Sequence, residues 1–290
     1  MLDQQTKHTA QTQSREFDYT WEHFESLRKI SNEHSGIVVT DDKFDMFYSR
    51  LSKRLRALNL TGFSEYCALL EKNTGGEFTQ FINAVTTNLT SFFREMHHFD
   101  YVRAQLIPDL LRQRQDSEKI RIWSSGCSTG EEPYSIAMTV YEAAHSEISA
   151  GWDIRVLATD IDSDVLAKAE SGVYTEDRVD RLNPVVTKRW FKSGTGENEG
   201  MVRVDQSLRD MISFKQLNLM KEWPMKGPLD AIFCRNVIIY FDQETKLKLV
   251  NRYADMLEVG GILVLGHSES LYQLTDRFEL IGNTVYRRAY

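Results

Sequence analysis

The sequence is poor in the residues that would define several protein classes. Cysteine occurs three times in 290 residues, at Cys67, Cys127 and Cys234. That odd number and wide spacing give neither a disulfide framework nor a metal-ligand pattern, which fits a reducing cytoplasm. No apolar run approaches a membrane span: AIFCRNVIIYF is short and is interrupted by Arg235 and Asn236. The first residues, MLDQQTKHTAQTQSRE, are polar and lack the apolar stretch of a signal peptide. Net positive charge is also absent. The formal balance of −7 gives the molecule no general attraction for nucleic acid or an anionic membrane, so any basic site must be local. Proline is missing from 17–89, and no internal repeat is visible. No His/Asp or Cys/His constellation suggests nucleophilic catalysis or a metal. His97 and His98 are adjacent and should point to different helix faces.

What is present divides into three textures. Residues 1–16 read as a disordered arm. From 17 to 95 the pattern is helical, with apolar residues at three- and four-residue steps in FDMFYSRLSKRLRALNL and turns at TGF and NTGG. From 96 to 290 strands alternate with helices. IRIWSSG (120–126), IRVLATD (154–160), ISFKQLN (212–218), LDAIFCRN (229–236) and ILVLGH (262–267) read as strands. A helix should start near Glu131, with Pro133 in its first turn; DSDVLAKAE should form another. DQETKLKLVNRYADML should be a helix stopped by Gly260 and Gly261, and ELIGNTVYRRA a final extended segment. The expected class is therefore α/β: a mostly parallel, Rossmann-like sheet behind an all-helical domain. The stretch 174–211, with its turn-rich SGTGENEGMVRV, breaks the rhythm and reads as a small antiparallel β insertion.

In such a sheet ligands bind beyond the carboxyl ends of the strands. The first strand ends in Ser125-Gly126-Cys127-Ser128-Thr129-Gly130-Glu131-Glu132. Its glycines permit a tight turn, but the full G-x-G-x-x-G fingerprint is missing. Glu131 and Glu132 at a helix start would repel a pyrophosphate and attract a sulfonium or an ammonium, favouring S-adenosylmethionine over NAD. Acids also simply stabilise helix N-termini, so charge alone leaves both readings open. Asp160 ends the second strand and could accept both ribose hydroxyls. It lies further along than the usual spacing; Asp162 and Asp164 compete for that role, although Asp162 looks like a helix N-cap. Asn218 and Asn236 close two further strands, where amides suit a ligand edge or a turn.

TTNLTSFFRE, SGCSTGEEPYSIAM, ATDID, NL and FCRNVIIYF occur in this order. The set closely resembles the chemotaxis receptor methyltransferases, commonly called CheR, over nearly the whole chain from about residue 20. The resemblance implies S-adenosylmethionine as cofactor, S-adenosylhomocysteine as product, and methyl transfer to receptor glutamates as activity. It also implies roles for single residues. Asn88, Thr90 and Arg94 would contact the cofactor, Glu131 its amino-acid end and Asp160 its ribose. Asn218 and Leu219 would border the adenine, and Asn236 and Val237 the methionine end. Tyr240 could orient the acceptor carboxylate; Arg112 and Arg114 are weaker catalytic candidates. Some members of the family hold a receptor C-terminal peptide on the β insertion. The basic stretch 43–58 offers Arg50, Lys53, Arg54 and Arg56 as a docking face for a glutamate-bearing receptor helix, with Arg50, Lys53 and Arg54 on one side. Phe44, Phe47, Leu51, Leu55 and Leu58 would pack inward. Cys127 and Cys234 should lie near the pocket, because the strands that carry them are expected neighbours. A methyltransferase for RNA or small molecules, or a cofactor-binding module without turnover, are the alternatives. The first would want a wider basic stripe with stacking aromatics.

Overall fold

A computed structural model describes residues 15–72 and 76–290. Most of the expected N-terminal arm, and the NTGG turn up to Gly75, lie outside the described residues. Arg15 and Glu16 are described and are anchored: Arg15 pairs with Asp45 at 2.6 Å and Glu16 with Arg56 at 2.8 Å. The chain forms two compact units. One comprises 15–34 and 38–85; the other comprises 35–37 and 86–290.

The first unit is built from α1 (Trp21–Ser35), α2 (Phe44–Ala57), α3 (Phe63–Glu71) and α4 (Glu77–Val85). The four-residue spacing of Phe47, Leu51 and Leu55 puts all three on one face of α2, and all are fully buried. Phe44 and Leu58, at the ends of that stripe, are half-buried. Aromatic rings fill the space they face: Tyr19 and Phe63 lie 4.4 Å apart, and Phe24 meets Phe47 edge-on at 5.4 Å. α2 stops because Asn59 adopts a left-handed conformation (φ 55°), and Leu60 N–H closes back on the Leu55 carbonyl at 3.0 Å.

The second unit starts at Thr86, ahead of the Glu95 boundary that the helical texture suggests. Residues 86–96 form no helix. Thr86 and Asn88 instead donate to Asp162 of this unit, each at 2.8 Å. A helical stretch follows: α5 (His97–Tyr101), a π-helical turn at Val102–Leu106, and α6 (Ile107–Gln113). The remaining elements are β1 (Lys119–Ser124), α7 (Glu131–Ala143), α8 (His145–Ser149), β2 (Asp153–Asp160), α9 (Ser163–Ser171), β3 (Val173–Thr175), α10 (Pro184–Trp190), β4 (Phe191–Ser193), β5 (Met201–Val204), α11 (Gln206–Arg209), β6 (Ile212–Gln216), β7 (Leu229–Cys234), α12 (Gln243–Met256), β8 (Leu257–Leu265), β9 (Phe278–Gly282) and β10 (Val285–Arg288).

The main sheet runs β6-β2-β1-β7-β8-β10-β9. From β6 to β8 every neighbouring pair is parallel; β10 joins β8 and β9 antiparallel. Every residue of β7 is buried, as a central parallel strand requires. Two expectations are corrected here. α12 ends at Met256, and Gly260 and Gly261 lie inside β8, where the pairing with β7 shifts register between Leu229 and Ala231. The final extended segment is a hairpin: Asn283 and Thr284 both have positive φ (44° and 60°), which reverses the chain between β9 and β10. The 174–211 insertion carries a separate antiparallel sheet, β3-β5-β4, with β3 starting at Val173.

Candidate cofactor site

The turn after β1 is shaped by close approach. A Cβ on Gly126 would lie 2.4 Å from Val237 Cγ2. Gly130 has φ 97°, and a Cβ there would meet Ala169 and the Tyr174 hydroxyl at 2.8 Å. Both positions therefore require glycine. Asp160, at the end of β2, closes the turn: its carboxylate accepts the Ser128 N–H at 2.7 Å and the Asp162 N–H at 3.0 Å. Burial outweighs those two donors and pushes its pKa up to about 6. Asp162 caps α9 through the N–H groups of Asp164 and Val165 at 2.9 and 3.2 Å, while its other oxygen holds Thr86 and Asn88. Asp164 is exposed on α9. Of the three competing aspartates, Asp160 is the one bonded to the glycine turn. Asn88 is committed to Asp162.

The two glutamates that open α7 have different partners. Glu131 is fully buried; it accepts from Thr129 Oγ1 at 2.6 Å and pairs with the Arg178 guanidinium. Arg178 also donates to the Thr90 carbonyl at 2.9 Å, tying the β insertion to the 86–95 segment. Glu132 turns inward, accepting from Ser124 Oγ at 2.8 Å and Arg235 Nη1 at 3.0 Å. Its burial raises its pKa despite the guanidinium. Arg235 in turn donates to the Arg94 carbonyl and approaches Glu95 at 3.4 Å. The Arg94 side chain donates to Leu89 O at 2.9 Å, with Glu95 4.0 Å away. Sequence reasoning missed Arg178 and treated Arg235 only as an interruption of an apolar run. A charge inside such a run is itself the signal, since it stays buried only when paired.

Beyond β6, Asn218 accepts the Met220 N–H at 2.9 Å, the local turn an asparagine favours, and Leu219 is buried. Beyond β7, Asn236 has φ 59°, and Asn236 and Val237 donate their N–H groups to buried Glu269 at 2.8 and 2.9 Å. Glu269 is a further residue that sequence reading missed. Tyr240 is half-buried in the same loop. Arg112 and Arg114 belong to the other end of the sheet. Arg114 bonds Asp230, at the start of β7, at 2.7 Å, and the Arg112 side chain is 72% exposed on α6 and pairs with Asp109.

One further expectation is corrected. His97 and His98 do not diverge: their Nε2 atoms are 3.1 Å apart, and with Glu95 they form a cluster whose potential ligating atoms all lie within 4.8 Å. Its groups have other partners, however. His98 Nε2 reaches the Asn283 carbonyl at 2.9 Å, and Glu95 is held by His267 at 2.9 Å and by Arg235. Burial, and then Arg235, lower the His98 pKa to about 4. Cys127 follows β1 and Cys234 ends β7, neighbouring strands as expected, and both thiols are buried. Desolvation raises the first well above its usual range and the second to about 12. Alkylation would therefore be slow with or without cofactor.

In the helical unit, the basic face is partly engaged by its own acids. Arg54 grips Glu77 with two nitrogens, one at 3.0 Å, and Tyr66 donates to the same carboxylate at 2.8 Å. Arg50 donates to Ala84 O at 3.2 Å, and Arg56 pairs with Glu16. Lys53 is exposed and has no ion-pair partner among the described residues.

A glycine turn after the first parallel strand, a buried acid ending the second and acids opening the next helix define the class: a nucleoside-binding α/β domain suited to a cationic cofactor, as in S-adenosylmethionine-dependent methyltransferases. Comparison with known proteins narrows this. Residues 88–287 match the family described as CheR methyltransferase, SAM binding domain, and residues 22–86 the CheR methyltransferase, all-alpha domain. The chain is 47% identical over 266 residues to the chemotaxis protein methyltransferase of Escherichia coli (strain K12), covering 91% of this chain and 90% of that one. It is 44% identical over 278 residues to chemotaxis protein methyltransferase 2 of Pseudomonas aeruginosa, covering 95% and 96%. The chain belongs to the CheR methyltransferase family, and its cofactor is S-adenosylmethionine.

Proposed function

We propose that this protein transfers the methyl group of S-adenosylmethionine to the γ-carboxylates of glutamates on chemotaxis receptors, forming methyl esters and releasing S-adenosylhomocysteine. The observation that carries the reading is the family match of both the helical and the cofactor-binding parts across 22–287. The donor set fits the cofactor: the carboxylates of Asp160 and Glu131 flank the glycine turn, with Arg178 balancing the charge of buried Glu131. Asp160 would hold the ribose hydroxyls. Glu131 and Arg94 would take the amino and carboxylate groups, with Asn88 and Thr90 bracing the segment that carries Arg94. Asn218 and Leu219 would border the adenine, and Asn236 and Val237 the methionine end.

The bound cofactor supplies an activated methyl on a sulfonium. A glutamate side chain with a pKa of about 4.3 is already ionised at neutral pH, so the acceptor needs no general base. What the chain contributes is alignment and exclusion of water. Tyr240, in the loop that carries Asn236, would orient the acceptor carboxylate. Receptor helices would dock on the helical unit through Lys53 and Arg56, supported by Arg50 and Arg54. The β3-β5-β4 sheet, with β3 and β4 at its edges, could take a receptor C-terminal peptide as an added strand. The protein would act in the cytoplasm at receptor arrays; no described helix is long and apolar enough to cross a membrane.

The test is incubation with methyl-labelled cofactor and receptor-containing membranes. Label on the receptors that alkali releases as methanol supports the reading. No transfer, or label that resists alkali, overturns it.

A further inference from the structure

The loop after β7 is held by a side chain that is distant in sequence and has no part in the family roles assigned above. Glu269 is 4% exposed. One of its oxygens accepts the N–H groups of Val237 and Ile239 at 2.9 and 3.3 Å; the other accepts those of Asn236 and Gly266 at 2.8 and 2.6 Å. Four backbone donors converge on one carboxylate. The segment that delivers it is folded for the purpose: Glu269 N–H returns to the Gly266 carbonyl at 2.9 Å, and a Cβ on Gly266 would meet Asn236 Nδ2 at 2.6 Å and Glu269 Oε2 at 2.9 Å. Asn236 sits in the left-handed region (φ 59°), a conformation an asparagine tolerates but that needs local support. The consequence reaches the cofactor turn, because Val237, fixed through its N–H, is the side chain that packs against Gly126.

We propose that Glu269 is a positioning residue of the methyl-transfer site: its buried carboxylate gathers the backbone N–H groups of the 236–239 loop and of Gly266, and so holds Asn236 and Val237 in the conformation that receives the methionine end of the cofactor. The proposal rests on the functional reading above and adds to it a residue that touches neither cofactor nor acceptor. Charge matters as much as shape. A carboxylate offers lone pairs on both oxygens, whereas an amide has one oxygen and an NH2 group. Glu269→Gln preserves the volume but sets a donor against two N–H groups, Val237 and Ile239 in one orientation or Asn236 and Gly266 in the other. The strands around the loop keep their own ladders, so the damage falls on the loop.

The experiment is calorimetric titration of S-adenosylhomocysteine into the wild-type chain, Glu269→Gln, Glu269→Asp and a core control, Val250→Ala. Val250 is fully buried on α12 and lies outside the loop. The expected result is affinity weakened about tenfold or more in Glu269→Gln. Part of it should return in Glu269→Asp, which keeps both oxygens on a shorter stem. In Val250→Ala the melting temperature should fall while affinity stays at the wild-type value. In steady-state methylation the KM for cofactor should rise in Glu269→Gln while the KM for receptor stays. Wild-type affinity in Glu269→Gln, or equal weakening in Val250→Ala, would overturn the proposal. If Glu269→Gln does not fold, Glu269→Asp carries the test, and wild-type affinity there together with wild-type amide exchange would overturn it. Hydrogen exchange at Asn236, Val237 and Ile239 separates the two claims. A wild-type chain that binds no S-adenosylhomocysteine removes the functional reading, whereas unchanged exchange at those amides in Glu269→Gln removes the role of Glu269.

Discussion

The two units of the chain treat charge in opposite ways. In the helical unit the buried side chains are aromatic or aliphatic apart from Cys67, Ser31 and Ser52, and most ionic contacts stay in water, as with Arg28 between Glu25 and Asp41; Arg54–Glu77 is the shielded exception. In the sheet unit Glu131, Glu132, Asp160, Asp162, Asp230, Arg235 and Glu269 are all buried. Burying a charge is expensive unless it is paired and bonded, so its retention marks where the fold must present polar chemistry. All but Asp230 lie beyond the carboxyl ends of the strands. Asp230 holds Arg114 and the Arg121 N–H at the other end, which is a structural task. The difference places the buried polar chemistry in the unit that matches the SAM binding domain, and the proposed function gives the helical unit the task of recognition.

Removing a buried partner should break the contrast most visibly. Arg235→Met removes the cation shared by Glu132 and Glu95 and leaves buried Glu132 without its ion-pair partner, and should cost about 3–5 kcal/mol of stability in chemical denaturation. A loss below about 1 kcal/mol would mean that the buried network is not what sets the units apart. Next in size is cofactor binding. Asp160→Ala should weaken S-adenosylmethionine affinity about ten- to hundredfold and Arg94→Ala about tenfold, both measured by calorimetry on folded protein. Because burial lifts Asp160 to about 6, wild-type affinity should also fall as the pH drops through that value.

Stability against pH gives a subtler test. Asp160 rises from 3.8 to about 6 on folding, so between those values the folded chain holds more protons and stability falls as pH rises. His98 drops from 6.5 to about 4, so the unfolded chain holds more protons and stability rises with pH over its window. The two slopes oppose each other where the windows overlap. Asp160→Asn should expose the His98 slope as a melting temperature that falls on acidification, more steeply than in the wild type; an unchanged profile would contradict both assignments. The smallest effect belongs to the helical unit. Arg28→Met, whose partners Glu25 and Asp41 are exposed, should cost roughly 1 kcal/mol or less, well short of Arg235→Met.

Local features of the fold were legible. Pro133 after two acids marked the start of α7, and Asp162 before Ser-Asp marked the cap of α9, because both signals lie within one helical turn. The alternating texture likewise disclosed the parallel sheet. What escaped depends on partners far apart in the chain. Arg235 and Glu132 are separated by 103 positions, Arg178 and Glu131 by 47, and Glu269 and Asn236 by 33. The acid that engages part of the basic face escaped for the same reason: Glu77 lies 23 positions from Arg54, with which it pairs. The β9–β10 hairpin was missed because its turn is Asn-Thr, and a threonine with positive φ carries no turn signal. His97 and His98 open α5 side by side, and their rings turn toward each other, a side-chain choice that helix spacing alone does not determine.

The division of labour between the units is tested most directly by reversing charge on the helical unit at the positions least tied into the fold. Among the described residues Lys53 is exposed without an ion-pair partner, and Arg56 pairs with exposed Glu16. The measurement is the rate of methyl transfer to receptor membranes by Lys53→Glu/Arg56→Glu, set against the affinity of the same preparation for S-adenosylhomocysteine. The account predicts transfer reduced about tenfold or more with wild-type affinity. Transfer at the wild-type rate, or a parallel loss of cofactor binding, would contradict it.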